Sequence, residues 1–399
     1  MPAPCSLAAM GMVHALGDEP EAILPRLLAG DQSRLSTRSD LVPDRALIVG
    51  AVHETLPEIP AELARFACRN NAMALAALRQ IEAPVARALA RHGAERMGVV
   101  MGTSTSGVSD AEVAIRHHQE TSELAPSFDY AQLEFGGLAE FTAAWLGAQG
   151  PAFTISTACS SGARALATAR SLIRMGLCDA VVAGAADTLC GLTTGGFTAL
   201  HALSDEVSNP MSRNRCGLTL GEGAAVFLVT GEESGIQLSG VGESSEAHHM
   251  SAPDPEGRGA ETAMREALTD AGAPAEEVAY ANLHGTGTPL NDVMESLAVD
   301  KVLGRDIPCS STKALVGHTL GAAGAIEAAF TWLVLDRAEA GALPLPPHAW
   351  DGERDPELAP IRLAVPGERA APRERAITLS NSFGFGGNNC TLVMERHFA

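Results

Sequence analysis

The sequence predicts an α/β fold with mainly parallel strands, and two features of the chain favour it. Apolar runs of strand length alternate with helix-length segments along the 399 residues, an order typical of α/β layers. The runs are almost continuously apolar, as is typical of strands that are covered on both faces. They are RMGVVMG at 96–102, PAFTIST at 151–157, DAVVAGA at 179–185, AAVFLVT at 224–230, VAYANLH at 278–284 and CTLVMER at 390–396.

The helices between these strands are rich in alanine, and the chain carries an internal echo. A strand, a turn of small residues and GARALATARSLIRMG in the first half are matched by IPCSST, a turn and GAAGAIEAAFTWLVLDR in the second. We therefore predict two related α/β halves, at 1–235 and 236–399, without a Ser/Pro-rich linker between them. The stretches 242–259 and 344–360 are polar and rich in turn residues, which predicts loops.

Composition narrows the class of protein. Hydrophobic residues make up 46% of the chain and charged residues only 19%, which excludes a disordered protein. The net charge of −20 argues against nucleic acid or an anionic membrane as a partner. The start of the chain lacks a secretory signal pattern, and the eight cysteines show no CxxC or zinc-ligand spacing. We expect a cytoplasmic protein with reduced thiols.

The position of one cysteine suggests a catalytic role. In STACSSGARALATA, Cys159 stands where an apolar strand gives way to a helix. The unpaired amides and positive dipole end of a helix N-terminus favour a thiolate, the nucleophilic form of cysteine. The alternative is that Cys159 is one more small buried residue.

Two further stretches carry histidines at similar corners. LHGTGTPLNDVMES places His284 at the end of a strand, and STKALVGHTLGAAGAIEAA places Lys313 and His318 at the entry to a helix. A lone histidine is more often a satisfied core or surface residue. The pairs His117–His118 and His248–His249 are interpreted as such, and we predict no metal site. GHTLGAAG lacks the GK[ST] of a P-loop, which argues against nucleotide binding.

Together TACSSG, HGTGTP, KALVGHTLGAAG and NSFGFGGNN resemble the condensing enzymes of the thiolase fold. More narrowly, they resemble the β-ketoacyl-acyl carrier protein synthases of the type I/II group, over essentially the whole chain. Thiolases use a second cysteine, and type III synthases have asparagine where His318 stands, so neither pattern fits. The resemblance implies two related α/β halves stacked as five layers, α-β-α-β-α, in a dimer.

The resemblance also implies a reaction. Cys159 takes an acyl group from the phosphopantetheine thioester of a carrier protein, while the amides of Cys159 and Phe385 form the oxyanion hole. His284 and His318 act as neutral donors to the enolate that malonyl-acyl carrier protein forms on losing CO₂. That enolate attacks the acyl-enzyme in a decarboxylative Claisen condensation, as in fatty acid, polyketide or aryl polyene synthesis. Phe385 matches the family's gate between the acyl and malonyl pockets.

Supporting roles follow from the same resemblance. Lys313 and Glu327 are expected to pair and to position the site, and Glu295 to support His284. Thr286 and Thr288 match positions that hold the pantetheine arm. No free cofactor is expected, because 4'-phosphopantetheine arrives on the carrier protein.

The chain departs from the family at PMSRNRCGLTLGEG, where the usual Phe-Asp pair and Arg-Asp-Gly are missing. The resemblance therefore does not identify the residues of the carrier-docking surface. Carrier proteins are acidic, so an enzyme with a net charge of −20 needs a local basic patch. The candidates are Arg65, Arg69, Arg213 and Arg215.

Two rival functions and two assemblies are compatible with the fold. A chain-length-factor subunit and a decarboxylase that never condenses both usually lack the cysteine, so Cys159 argues against them. The active chain pairs either with itself or with a chain-length-factor-like homologue. A short, threonine-rich stretch at 102–110 leaves room for an unusual acyl chain.

Overall fold

The computed structural model describes residues 4–233 and 235–398. The strands are β1 Ser6–His14, β2 Ser36–Val42, β3 Arg45–Gly50, β4 Met97–Gly102, β5 Ala152–Ile155, β6 Ala180–Asp187, β7 Leu220–Gly221, β8 Gly223–Thr230, β9 Ile236–Ser245, β10 Val278–Asn282, β11 Pro308–Ser310, β12 Leu343–Pro344, β13 Arg362–Leu363, β14 Arg369–Ala370, β15 Arg375–Gly384 and β16 Asn388–His397. The helices are α1 Pro20–Ala29, α2 Arg69–Gln80, α3 Glu82–His92, α4 Val108–Thr121, α5 Tyr130–Leu133, α6 Gly136–Leu146, α7 Ser161–Arg174, α8 Gly191–Ala199, α9 Arg258–Ala271, α10 Pro289–Leu303, α11 Lys313–Val316 and α12 Ala323–Asp336. Each of the six apolar runs overlaps the strand that it predicted, and β6, β8 and β16 extend beyond their runs. In addition, β9 extends four residues into the predicted loop at 242–259.

The main sheet has eleven strands in the order β13-β11-β10-β15-β16-β9-β1-β8-β6-β4-β5. A single registered pair, Ser6 with Gln237, joins β1 to β9. Outward from that junction, the orders β1-β8-β6-β4-β5 and β9-β16-β15-β10-β11 repeat the same directions. The two related halves are thus confirmed, whereas the division after residue 235 stays a prediction.

The prediction of mainly parallel strands is wrong for the middle of the sheet. The pairings of β8 with β1 and β6, and of β16 with β9 and β15, are antiparallel. Within the main sheet, parallel pairing is confined to β6-β4-β5 in one half and to β15-β10-β11-β13 in the other. A buried antiparallel strand has the same continuous apolar sequence as a parallel one, so the apolar runs do not distinguish the two directions.

The helices complete the layers. α7 and α12 pack against each other, and each also packs on its own half of the sheet, α7 on β4 and β6, and α12 on β15 and β16. α2 covers the other face of β1 and β8, and α9 covers that of β9 and β16. This arrangement confirms the thiolase fold. None of the helices in the described parts of the chain has the length and apolar character needed to cross a membrane.

The parallel strands place the candidate residues together. β5, β10, β11 and β15 end just before the segments that carry Cys159, His284, Lys313 and Phe385, respectively. Ligands of α/β proteins bind beyond the carboxyl ends of such strands, where the connecting loops converge.

Candidate active site

The nucleophile candidate sits on a strained turn. Ala158, the residue before Cys159, has a φ of 52°, in the left-handed region that non-glycine residues rarely occupy. The Ser161 hydroxyl donates to the Ala158 carbonyl, at 2.6 Å, and accepts the Thr157 N–H, at 2.9 Å. This turn brings Cys159 next to the start of α7, and its side chain is only 6% exposed.

Burial dominates the electrostatics of this thiol. It raises the pKa of Cys159 to about 11, while the charge of Lys313 and a hydrogen bond from the Phe385 N–H lower it. The resting group is therefore a thiol, contrary to the expectation that the helix N-terminus favours a thiolate. A thiolate formed during a reaction finds donors already in place.

Two buried histidines face this cysteine. His318 Nε2 lies 3.1 Å from Cys159 Sγ, and the His284 ring meets the His318 ring edge-on, with 5.3 Å between centroids. One ring nitrogen of each histidine and the sulfur all lie within 4.8 Å of one another. The structure thus brings the three predicted residues to one point.

The far nitrogen of each ring fixes its tautomer. The Leu320 N–H donates to His318 Nδ1 at 3.1 Å, and the Lys313 ammonium lies 3.3 Å from His284 Nδ1. Because each Nδ1 accepts, each Nε2 carries the proton. Burial, reinforced by the charge of Lys313, lowers the pKa of both histidines well below 6.5. Both rings are neutral N–H donors.

The same tautomers bear on metal binding. Histidines that ligate metals normally donate their far N–H to a partner, whereas here both far nitrogens accept. The Cys159, His284 and His318 cluster has the ligand types of a zinc site, but its hydrogen bonds favour donation to an oxyanion.

Buried charges support the histidines from behind. Lys313 and Glu327 form a fully buried ion pair, and burial raises the pKa of Glu327 to about 7 against the opposing charge of Lys313. Glu295 accepts the backbone N–H groups of His284 and Gly285 at 2.7 and 2.6 Å. The predicted supporting residues therefore lie where they can hold the histidine loop in place.

One buried carboxylate in this region was missed by the sequence analysis. Asp292 is fully buried and accepts the N–H groups of Met211, at 2.7 Å, and Gly287, at 3.2 Å. It ties the HGTGTP loop to the segment whose sequence departs from the family. A signal was available, because Asp292 and Glu295 are one helical turn apart at the start of α10.

The NSFGFGGNN segment lies against the nucleophile. A Cβ built on Gly384 would come within 3.2 Å of the Cys159 backbone nitrogen, and the Phe385 N–H is hydrogen-bonded to the Cys159 sulfur. The Phe385 ring is 36% exposed and lies 5.7 Å from the ring of Phe197. Phe383 is buried against His284.

A cavity of about 270 Å³ leads from the surface to these residues. Its base contains Cys159, His284 and His318, and its sides include Thr286 and Thr288. The two threonine hydroxyls lie 2.8 Å apart and are hydrogen-bonded to each other. The cavity mouth, formed by Leu200, His201 and Leu290, is exposed.

The four candidate docking arginines are not equivalent. Arg69 pairs with the buried Glu222, and Arg215 is 6% exposed and pairs with Asp355. Both charges have partners within the chain, although the Arg69 side chain is 38% exposed, and carrier docking at these arginines stays a prediction. Arg213 is 59% exposed, and Arg65 is exposed above the Phe66 ring, but neither lines the cavity.

Comparison with protein families and curated relatives is consistent with this geometry. Residues 8–234 match the family model "Beta-ketoacyl synthase, N-terminal domain", and 236–343 match its C-terminal domain. A 3-oxoacyl-[acyl-carrier-protein] synthase 2 from Synechocystis sp. is 34% identical over 76% of either chain. The enzyme of the same name from Staphylococcus aureus strain COL is 28% identical over 98% of this chain and 97% of its own.

Solved structures give the same fold. A chain from the complex of the ketosynthase ApeO with its chain length factor ApeC, from Xenorhabdus doucetiae, is 42% identical, with a TM-score of 0.91 over 100% of this chain and 98% of that one. A β-ketoacyl synthase from Burkholderia phymatum STM815 is 28% identical, with a TM-score of 0.83 over the whole of both chains.

Proposed function

The chain belongs to the β-ketoacyl synthase family, and from that membership we propose that Cys159 is the nucleophile of its decarboxylative Claisen condensation. The observation that carries the proposal is the convergence of a cysteine and two neutral, N–H-donating histidines at the base of one cavity. A chain-length-factor subunit or a pure decarboxylase has no use for this thiol.

In the first half-reaction, the Cys159 sulfur attacks the carbonyl carbon of an acyl thioester. The thiol proton goes to the departing pantetheine sulfur, so a thioester is exchanged for a thioester. The tetrahedral oxyanion is stabilised by the backbone N–H groups of Cys159 and Phe385. Fixed donors of this kind are effective because they need no reorganisation as charge develops.

In the second half-reaction, malonyl-carrier thioester loses CO₂, and the electron pair of the broken bond forms an enolate. His284 and His318 donate their Nε2–H groups to the enolate oxygen. The enolate carbon then attacks the acyl-Cys159 carbonyl, the carbon–sulfur bond breaks, and the Cys159 thiolate that leaves takes a proton from solvent. The product is a β-ketoacyl group on the carrier protein.

The remaining residues position these groups. The Lys313 ammonium holds His284 in its donor tautomer, and Glu327 balances the lysine charge in the buried interior. Glu295 fixes the His284 backbone, and the hydroxyls of Thr286 and Thr288 bind the pantetheine arm. That arm belongs to the substrate, so no free cofactor is required.

For its partner we propose a second chain of the same fold. The similarity to the ketosynthase ApeO, whose structure was solved in complex with its chain length factor, favours a heterodimer with such a homologue over a homodimer. Strand β5 is the outer edge of the sheet, and its Phe153 is 39% exposed. An exposed edge strand offers unpaired backbone groups to another chain. The lack of CxxC spacing among the eight cysteines fits the cytoplasmic location that we predict.

The test is intact-protein mass spectrometry after mixing the chain with acyl-carrier proteins of several chain lengths. We expect an acyl adduct on the wild type and none on Cys159→Ala. The experiment is repeated with a co-expressed chain-length-factor homologue, while native mass spectrometry records the assembly. An adduct that persists on Cys159→Ala, or no adduct under either condition, would overturn the assignment.

A further inference from the structure

Asp187 is a fully buried carboxylate at the carboxyl end of β6, close to Cys159. Its Oδ1 accepts hydrogen bonds from the hydroxyls of Thr103 and Thr105, each at 2.7 Å. The backbone N–H groups of Ser104 and Thr105 donate to the same oxygen at 2.8 and 2.7 Å. All of these donors are neutral, so dipoles rather than a counter-charge hold this carboxylate.

The loop Thr103–Thr105 lies between two segments of the active site. On one side, the Ser104 hydroxyl donates to the carbonyl of Ala158, at 3.4 Å, in the turn that carries the nucleophile. On the other side is Gly321, three residues beyond the second catalytic histidine. A Cβ at Gly321 would come within 2.6 Å of both the Ser104 hydroxyl and Asp187 Oδ2. The loop is therefore held between the turn that carries Cys159 and the turn that follows His318.

The charge of Asp187 also acts on the thiol. Burial is the largest cause of the raised pKa of Cys159, the charge of Asp187 adds to it, and the charge of Lys313 opposes it. The other ionisable groups that surround the thiol are Glu327, His284 and His318.

We propose that Asp187 is a positioning residue for the acyl-transfer step. By holding the loop Thr103–Thr105, it fixes the distance between the Cys159 sulfur and His318. The effect on turnover rests on the proposed function. The effect on the reactivity of the thiol does not, since a small alkylating reagent measures it without a carrier protein.

The experiment compares Asp187→Asn with the wild type in two assays. Removal of the negative charge lowers the pKa of the thiol, so iodoacetamide should modify Cys159 about 3- to 10-fold faster, with the pH profile displaced downward. Loosening of the loop should reduce turnover with acyl- and malonyl-carrier proteins about 10- to 100-fold. Peptide mapping records Cys309 as an internal standard, because this thiol is fully buried and its neighbouring charges are Glu295 and Arg362 rather than Asp187, and unfolding would expose both thiols.

Further variants keep the test falsifiable if Asp187→Asn folds poorly. Thr103→Val removes one hydroxyl donor and leaves the carboxylate, so turnover should fall about 3- to 10-fold without faster alkylation. Glu112→Gln is the matched control, since its carboxylate accepts the N–H groups of Gly191 and Leu192 instead, and both assays should be unchanged.

Wild-type alkylation and turnover in Asp187→Asn would overturn the proposal. Equal modification of Cys159 and Cys309 would overturn it as well, because it would show loss of the fold rather than of one position. Failure of the proposed function looks different: the wild-type chain would accept no acyl group, while its Cys159 alkylation would still respond to Asp187→Asn.

Discussion

The base and the mouth of the cavity differ in how far their side chains are exposed to solvent. At the base, Cys159, His284 and His318 are at most 6% exposed. At the mouth, Leu200 and Leu290 are 53% and 62% exposed. The base thus shields polar groups from solvent, whereas the mouth exposes apolar groups to it.

This difference in exposure indicates a different role for each region. Burial raises the pKa of the thiol and lowers that of the histidines, so each group rests uncharged beside fixed donors. Hydrogen bonds to a charge that appears there are strong, because no water competes with them. An exposed apolar rim instead fits a partner that binds and leaves in every cycle. Changes at the base should thus reduce the chemical rate, and changes at the mouth should alter binding.

The sharpest way to break this comparison is to remove the nucleophile. Cys159→Ala should lower condensation by at least about 1,000-fold, because the covalent intermediate is lost. Cys190→Ala is the matched control, as Cys190 is also buried beside a helix N-terminus but does not line the cavity. Turnover is measured by release of labelled CO₂ together with β-ketoacyl product. Comparable losses in both variants would mean that burial, not position, explains the first result.

The second change separates the two half-reactions. His284→Ala should lower condensation about 100- to 1,000-fold while leaving acylation of Cys159 within about tenfold. Intact mass measures the acyl-enzyme, and labelled CO₂ measures decarboxylation. His53→Ala, at an exposed histidine bonded to the Arg34 carbonyl, is the control. Equal loss of both half-reactions would refute the division of roles.

The histidines also predict a pH dependence. Their pKa values are lowered well below 6.5 in the folded chain, so the unfolded chain binds more protons below that pH. Their contribution to stability is therefore present above pH 6.5 and is lost as the pH falls. Denaturant titrations between pH 5 and 7, in roughly half-unit steps, should show a weaker decline on acidification for His284→Ala than for the wild type.

How far the sequence predicts the molecule depends on whether a feature is local. Six of the strands, the helices α7 and α12, and the turns that carry the catalytic candidates follow from apolar periodicity and short motifs. Strand direction does not, because buried strands of either direction are equally apolar. The antiparallel middle of the sheet was therefore missed.

Pairing between distant residues is the second limit. Nothing local distinguishes Arg215, which meets Asp355 across 140 positions and is 6% exposed, from Arg213, which stays 59% exposed beside Glu353. Asp187 and Asp292 likewise gain their partners only when separate strands and loops converge. Motifs indicate the groups that react, whereas tertiary contacts determine which charged side chains find partners within the chain.

An intermediate effect is expected at the ion pair behind the base. Glu327→Gln leaves Lys313 without its counter-charge, which should cost about 3 kcal/mol of unfolding free energy and about tenfold in turnover. Because the pKa of Glu327 is raised to about 7 from 4.5, its stabilising contribution falls as the pH rises through that interval. Chemical denaturation at pH 5 and 8 should show that this slope is lost in the variant. If the Glu327→Gln variant were as stable as the wild type at both pH values, the ion pair would make no contribution to stability.

The smallest effect is expected at the surface beyond the mouth. Arg213→Glu should raise the KM for carrier protein about 2- to 5-fold at low salt and leave kcat unchanged, because an exposed charge steers association rather than chemistry. The difference should vanish near 1 M salt, where screening is almost complete. Arg91→Glu is the matched control, since Arg91 is 65% exposed and is likewise paired with a single exposed carboxylate, that of Glu232. If Arg213→Glu lowers kcat instead, the surface and the base are coupled, and the separation between binding and chemistry fails. If neither arginine matters at any salt concentration, the carrier docks on the apolar mouth itself, and Leu290→Ser becomes the variant that raises KM.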